Sequence, residues 1–156
     1  MEKQDNEIRT EELHKELDLV QSCILRMAQN SFMIKGWAFA LVTAFVALTA
    51  EKLELYVLCA VGIFILFAFW YLDAFFLKME KLYRFKYEWI ITERAKGNRK
   101  YLYDLNPYQN ETRLPKKKTP TVVSVMFSSP RTLLLFYGSP IWVGIIAMIL
   151  RAVCII

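Results

Sequence analysis

Residues 53–77 read LELYVLCAVGIFILFAFWYLDAFFL, and this stretch decides the fold. After Glu54 it contains a single charged residue, Asp73, in an otherwise apolar run. A helix needs about 20 such residues to cross a hydrocarbon core of about 30 Å. It also satisfies its own backbone hydrogen bonds, which lipid cannot do. We therefore predict that this run is a transmembrane helix.

Two further apolar runs flank this stretch, at residues 32–50 and 132–156. The chain is 56% hydrophobic, and its apolar residues cluster in these three runs. The predicted fold is all-α: a membrane protein with three transmembrane helices, an N-terminal amphipathic helix and a cytoplasmic extension of the second span. The predicted segments are a cytoplasmic amphipathic helix at 1–31, transmembrane helices at 32–50, 53–77 and 132–156, and a basic cytoplasmic segment at 78–131. The basic segment is expected to be helical to about residue 97 and to continue as a proline-containing connector.

The basic residues predict the orientation in the membrane. Thirteen of the twenty Lys and Arg residues lie between Lys78 and Arg131, against five acidic residues, a net charge of +8 for that segment. Between the first two runs, Lys52 is the one basic residue. Short basic loops stay in the cytoplasm of bacteria. We therefore expect a bacterial inner-membrane protein with its N-terminus in the cytoplasm and its C-terminus in the periplasm.

Residues 7–34 carry apolar side chains at heptad spacing. The stripe needs a partner helix, either in the same chain or in another subunit. The intrachain candidate is the extension of the second span, where Leu82, Phe85 and Trp89 share one face and Gly97 is the expected C-cap. The heptad residues are Leu13, Leu17, Val20, Ile24, Met27 and Ile34, with Ser31 at the remaining position.

The first span has a face of small residues, which suits either close helix packing or the lining of a narrow pore. Asp73 near the end of the second span is costly at membrane depth. It either pairs with Lys35 or Lys78 at the interface or places a carboxylate at the inner mouth of a cation pathway. The predicted pore-lining residues are Gly36, Ala40, Thr43, Ala47 and Asp73.

The basic segment interleaves cations with tyrosines. Cations neutralise phosphates and aromatic rings stack on bases, so the pattern suits a single-stranded nucleic acid or a nucleotide. Contact with anionic lipid, or the topology bias alone, would also explain the basic excess. The predicted ligand-binding residues, for an oligonucleotide or a phosphate group, are Arg94, Lys96, Arg99, Lys100, Tyr101, Tyr103, Arg113, Lys116, Lys117 and Lys118.

Little in the chain suggests catalysis. Arg9 and His14 have the Arg-x4-His spacing of HEPN-type ribonucleases, but they lie on an acidic helix, which is a poor place for RNA phosphates. There is no phosphate-binding glycine loop, and the acidic residues form no metal-binding pattern. We expect no enzyme activity, no catalytic residues, no metal and no cofactor.

Four segments together resemble small, multi-span membrane proteins that accompany bacterial defence genes. They are residues 26–37, RMAQNSFMIKGW; 70–73, WYLD; 80–84, EKLYR; and 127–137, FSSPRTLLLFY. The resemblance covers about residues 20–150. These membrane proteins are in turn similar to SLATT-like effectors of anti-phage systems, and the functional candidate among known effectors is the membrane effector of the Hailong system. The resemblance implies a pore-forming homo-oligomer, with a tetramer favoured. It also implies control by a nucleotide or single-stranded DNA oligomer that a cognate nucleotidyltransferase makes.

The leading prediction is a homo-oligomeric ion channel or pore that acts in anti-phage defence. The channel would be gated at its basic cytoplasmic region by a nucleotide, an oligonucleotide or a partner protein. The alternative is a non-conducting membrane scaffold that recruits a soluble defence protein to the inner membrane. A ribonuclease that uses Arg9 and His14 comes third.

Overall fold

The computed structural model describes residues 2–49, 51, 53–109, 119–128 and 131–153. Its four helices are α1 (Glu2–Thr49), α2 (Leu55–Ala95), α3 (Val122–Ser128) and α4 (Arg131–Val153). No strand occurs in the described ranges. The predicted all-α class is confirmed.

Three of these helices, α1, α2 and α4, are long and apolar enough to cross a membrane. With a rise of 1.5 Å per residue, α1 is about 72 Å long and α2 about 62 Å long. Each therefore extends well beyond a hydrocarbon core of about 30 Å. The amphipathic helix and the first span, predicted as successive segments, form the single uninterrupted helix α1. Helix α4 continues through Pro140.

The chain divides into two compact units, each built from two stretches of sequence. The charged unit comprises Met1–Gln29 and Leu77–Pro120. The apolar unit comprises Asn30–Phe76 and Thr121–Ile156. Each unit therefore has its own core.

The core of the charged unit is formed by the heptad face of α1 and the second half of α2. Val20, Trp89 and Ile90 are buried at its centre. The surrounding apolar residues are Leu13, Leu17, Ile24, Tyr83, Tyr87, Tyr101 and Leu105. Of the two partners considered for the heptad face, the structure shows the one in the same chain.

Helix α2 ends in a Schellman motif at Gly97. The Gly97 N–H donates to the Arg94 carbonyl at 3.0 Å, and the Asn98 N–H donates to the Glu93 carbonyl at 3.0 Å. Gly97 has φ +78°, a left-handed conformation that costs glycine little because it has no Cβ. The predicted C-cap is confirmed, and the chain turns here into the loop 96–109.

The core of the apolar unit is aromatic and is centred on Trp70 of α2. Tyr137 of α4 stacks on the Trp70 ring with centroids 6.4 Å apart, and Phe127 of α3 meets the same ring edge-on at 5.4 Å. Such aromatic pairs each contribute about 0.5–1.5 kcal/mol beyond area burial. A further contact joins α4 to α2, where Gly144 lies against Ile63. These contacts hold α3 and α4 on one side of α2.

Candidate functional site

The loop 96–109 is held to α2 by a buried lysine. Lys86 is almost fully buried; its ammonium group donates to Asp104 Oδ2 at 3.1 Å and to the Asn106 carbonyl at 3.0 Å. Burial on its own would raise the pKa of Asp104. Hydrogen bonds from the Asn106 backbone N–H and from Lys86 outweigh burial, so the pKa of Asp104 lies below its ordinary value. The loop is thus a folded part of the charged unit.

The two tyrosines predicted to stack on bases have different positions in this loop. Tyr101 packs on Trp89 with ring centroids 6.3 Å apart, whereas the Tyr103 side chain is exposed. Both residues have positive φ, 58° and 57°. This conformation is uncommon for residues that carry a Cβ and persists where surrounding contacts enforce it. One such contact is the hydrogen bond from the Tyr103 N–H to Glu16 Oε1, at 3.1 Å.

Glu16 and Arg94 form a buried, bidentate ion pair between α1 and α2. Arg94 Nε donates to Glu16 Oε2 at 2.9 Å, and Arg94 Nη2 donates to Glu16 Oε1 at 2.8 Å. The Glu16 side chain is only 1% exposed, and the Arg94 side chain is 8% exposed. Arg94 Nη1 donates to the carbonyls of Asn98, at 2.6 Å, and Lys100, at 3.1 Å. Arg94 therefore joins both helices and the loop, and its donors face protein groups.

The other predicted cations of this region are exposed. Lys96 pairs with Glu93 at 2.7 Å, and hydrogen bonds from Lys96 and Asn98 lower the pKa of Glu93. Arg99 pairs with Glu12 of α1 at 2.6 Å. The Lys100 side chain is exposed. Arg113, Lys116, Lys117 and Lys118 lie outside the described residues.

A cleft of about 340 Å³ opens in the charged unit, between the start of α1 and the loop. The Glu16–Arg94 pair lies in its wall, and Arg9, Glu12 and Arg99 line it as well. Small-molecule sites have volumes of about 300–1,000 Å³. The volume of the cleft is therefore sufficient for one small ligand.

The apolar unit contains a polar cluster centred on Asp73. The Asp73 side chain is fully buried, and the Lys35 ammonium group lies 2.6 Å from its Oδ2. The Ser31 hydroxyl donates to Asp73 Oδ1, and Lys35 in turn donates to Ser31 Oγ at 3.0 Å. Of the two pairings considered for Asp73, the structure shows the one with Lys35. Lys78 instead lies over the Tyr108 ring, 5.7 Å from its centroid.

Two aromatic side chains extend this cluster. The Tyr137 hydroxyl is buried close to Asp73, although no hydrogen bond of regular geometry joins them. Trp70 lies one turn before Asp73 on α2, and its Nε1–H is buried without a partner among the described residues. Buried polar groups are usually hydrogen-bonded, and ionisable groups at membrane depth usually have a function. The cluster is therefore the candidate functional site of the apolar unit.

The predicted pore face of α1 points away from this cluster. Ser31 and Ala38 are buried, and Val42 and Phe45 are half-buried, so they mark the side of α1 that faces its own unit. At 100° per residue, the small-residue face lies about 160° around the helix from that side. Its residues, Gly36, Ala40, Thr43 and Ala47, are all exposed. Asp73, the fifth residue predicted to line a pore, is not brought together with them.

The described residues offer no support for the catalytic motif. Arg9 and His14 are both exposed, and five residues of helix place them about 140° apart. Arg9 lines the cleft and His14 does not. In the described ranges, no group of three or more His, Cys, Asp or Glu side chains could hold a metal ion.

Three residues that organise the charged unit were not singled out in the sequence: Glu16, Lys86 and Asp104. Glu16 carried a usable signal, because it is next to heptad residue Leu17 at a position that often forms interhelical ion pairs. Lys86 lies on the same helical face as Leu82, one turn later. Asp104 gave no such signal, because its contact depends on the conformation of the loop.

The fold defines the class of the protein: an all-α protein with three helices able to span a membrane, together with a charged helical unit. No family model, curated protein or solved structure matches the chain.

Proposed function

We propose that the chain forms a homo-oligomeric ion channel or pore whose wall includes the small-residue face of α1. The observation that carries the proposal is the exposure of Gly36, Ala40, Thr43 and Ala47. Small residues let helices approach closely. Because this face does not pack within its own protomer, its closest packing is expected between subunits, around a narrow central path.

The amount of uncovered helix surface supports assembly. In the most apolar stretches of the three long helices, only 6%, 17% and 11% of residues are buried. Lipid can cover large apolar side chains such as Phe39 and Trp142. A stripe of small residues offers lipid less contact area, so helix–helix packing suits it better.

The Asp73 cluster would hold each subunit in shape at membrane depth. An isolated buried carboxylate is costly, whereas one bonded to Lys35 and Ser31 is compensated. In this proposal Asp73 positions α1 against α2 from inside the subunit. It thereby fixes which face of α1 is presented to neighbouring subunits.

The charged unit would be the cytoplasmic control element, in line with the basic segment at residues 78–131. A ligand controls opening only through a difference in its affinity for the open and closed states. The proposed setting is anti-phage defence at the bacterial inner membrane, where an open channel depolarises the infected cell. This setting follows from the resemblance to SLATT-like effectors.

A bulky residue in the small-residue face should block conduction. We expect cells that express the wild-type chain to lose membrane potential and cells that express Ala40→Trp to keep it, as reported by a potential-sensitive dye. Ala68→Trp is the matched control, because Ala68 is an exposed alanine of α2 in the same unit. It should depolarise cells as the wild type does.

The non-conducting scaffold predicts a different result. A specific observation favours it: Arg94, which was predicted to bind a ligand, is buried against Glu16 and two loop carbonyls of its own chain. If the chain is a scaffold, cells that express wild type, Ala40→Trp or Ala68→Trp at equal levels should all keep their membrane potential. Equal depolarisation by wild type, Ala40→Trp and Ala68→Trp would instead reject this face as the pore lining.

A further inference from the structure

The cleft of the charged unit combines an apolar wall with an excess of positive charge. Three arginines and two glutamates line it: Arg9, Arg94, Arg99, Glu12 and Glu16. The net charge of the lining is therefore +1. Leu13 and Leu102 supply apolar surface in the same cleft. This composition suits an organic molecule with an anionic group.

The three arginines differ in their availability. Arg94 is buried, and its donors are taken up by Glu16 and by two loop carbonyls. Breaking such a buried pair is strongly unfavourable. Arg94 is therefore a structural part of the cleft wall and not a group that a ligand can recruit.

Arg99 can exchange its partner. Its pair with Glu12 is 2.6 Å long, but the Arg99 side chain is 54% exposed and that of Glu12 is 32% exposed. Exposed ion pairs contribute little to stability. A ligand anion can therefore replace Glu12 at small cost.

Arg9 supplies a second guanidinium group. Its side chain is exposed at the cleft, and among the side chains that the structure describes, from residue 9 onwards, none forms an ion pair with it. Guanidinium groups bind phosphate oxygens through paired, parallel N–H bonds. Two available arginines on one small cleft favour a phosphate group over a single carboxylate.

We propose that this cleft binds a small, soluble, phosphate-bearing molecule, with Arg9 and Arg99 as the phosphate-binding residues. The inference rests on the proposed function, in which a ligand at the charged unit controls conduction, and it assigns the site of that ligand. The volume of about 340 Å³ fits a molecule of about the size of one nucleotide. It does not fit an extended oligonucleotide within the cleft itself.

Pyrophosphate binding to the full chain in neutral detergent tests the proposal. Isothermal titration calorimetry should show saturable binding to wild type. Arg9→Gln/Arg99→Gln should weaken that binding by about tenfold or more, as expected for the loss of charge-assisted hydrogen bonds. The matched control is Lys15→Gln/Arg26→Gln, which removes the same charge from exposed positions of α1 outside the cleft. Its affinity should stay within about twofold, the change expected from weak long-range screening.

A variant that is expected to bind pyrophosphate more tightly distinguishes the loss of binding residues from misfolding. Glu12→Gln removes the carboxylate that competes for Arg99, so it should bind pyrophosphate more tightly than wild type. The proposal is overturned by an absence of saturable binding to wild type, by equal weakening in the matched control, or by unchanged affinity in Glu12→Gln.

The source of the phosphate is tested in nanodiscs. Pyrophosphate should bind wild type equally in discs of neutral lipid and in discs with phosphatidylglycerol at the same ionic strength. Loss of binding in the anionic discs would assign the arginines to lipid headgroups and overturn a soluble ligand. None of these readouts requires conduction. Binding without depolarisation would reject the channel and keep the site, and depolarisation without binding would do the reverse.

Discussion

Arg94→Met should destabilise the charged unit by about 3–5 kcal/mol, because it leaves the Glu16 carboxylate buried without a counter-charge. Glu16 is 1% exposed, so water cannot replace the two lost hydrogen bonds. The loop carbonyls of Asn98 and Lys100 lose their donor in the same variant. Native-state hydrogen exchange of backbone amides in residues 82–94 measures the effect.

A second arginine on the same helix provides the control. Arg84 pairs with Glu80 one turn away at 2.8 Å, but its side chain is 60% exposed. Exposed pairs at this spacing contribute about 0.3–0.5 kcal/mol. Arg84→Met should therefore change exchange only slightly, and equal effects of Arg84→Met and Arg94→Met would contradict the assignment. Glu16→Leu together with Arg94→Met should recover much of the lost stability, because no unpaired charge then remains buried.

Lys35→Met should destabilise the apolar unit by about 2–4 kcal/mol. This loss of stability is smaller than that expected for a fully buried pair, because Lys35 is 26% exposed and its charge is partly screened. Asp73→Asn should be milder, because the remaining Lys35 ammonium group can turn towards water or lipid headgroups. Thermal unfolding in detergent, followed by tryptophan fluorescence, gives the order of stability.

Two further variants complete this test: the double variant Lys35→Met/Asp73→Asn and a control, Lys78→Met. Lys35→Met/Asp73→Asn should be more stable than Lys35→Met, because the asparagine is neutral and can still accept the Ser31 hydrogen bond. Lys78→Met should have a small effect, since Lys78 contacts the Tyr108 ring and not Asp73. A larger loss in Lys78→Met than in Lys35→Met would contradict the Lys35–Asp73 pair.

The local features of the fold could be predicted from the sequence because their causes are local. Runs of apolar residues long enough to span lipid predict three helices, and the structure has them. Gly97 was expected to end a helix, and the Schellman motif forms there. The heptad positions identified the buried face of α1, while the choice between an intrachain and an intersubunit partner needed the structure.

The candidate site was less predictable because its contacts connect residues that are distant in sequence. Arg94 looked like a ligand-binding cation in a basic segment, yet Glu16, 78 positions earlier, occupies it. The positive φ of Tyr101 and Tyr103 follows from tertiary contacts, since neither residue favours that conformation. The small residues of α1 were recognised as one face, but periodicity alone does not say whether a face points inward or outward.

The central claim, that the chain forms a conducting oligomer, is tested most directly by current recordings of the purified full-length protein in planar lipid bilayers. The account predicts discrete current steps for wild type at constant voltage. A current identical to that of a protein-free bilayer, with and without pyrophosphate and at a protein density verified by quantitative labelling, would contradict it.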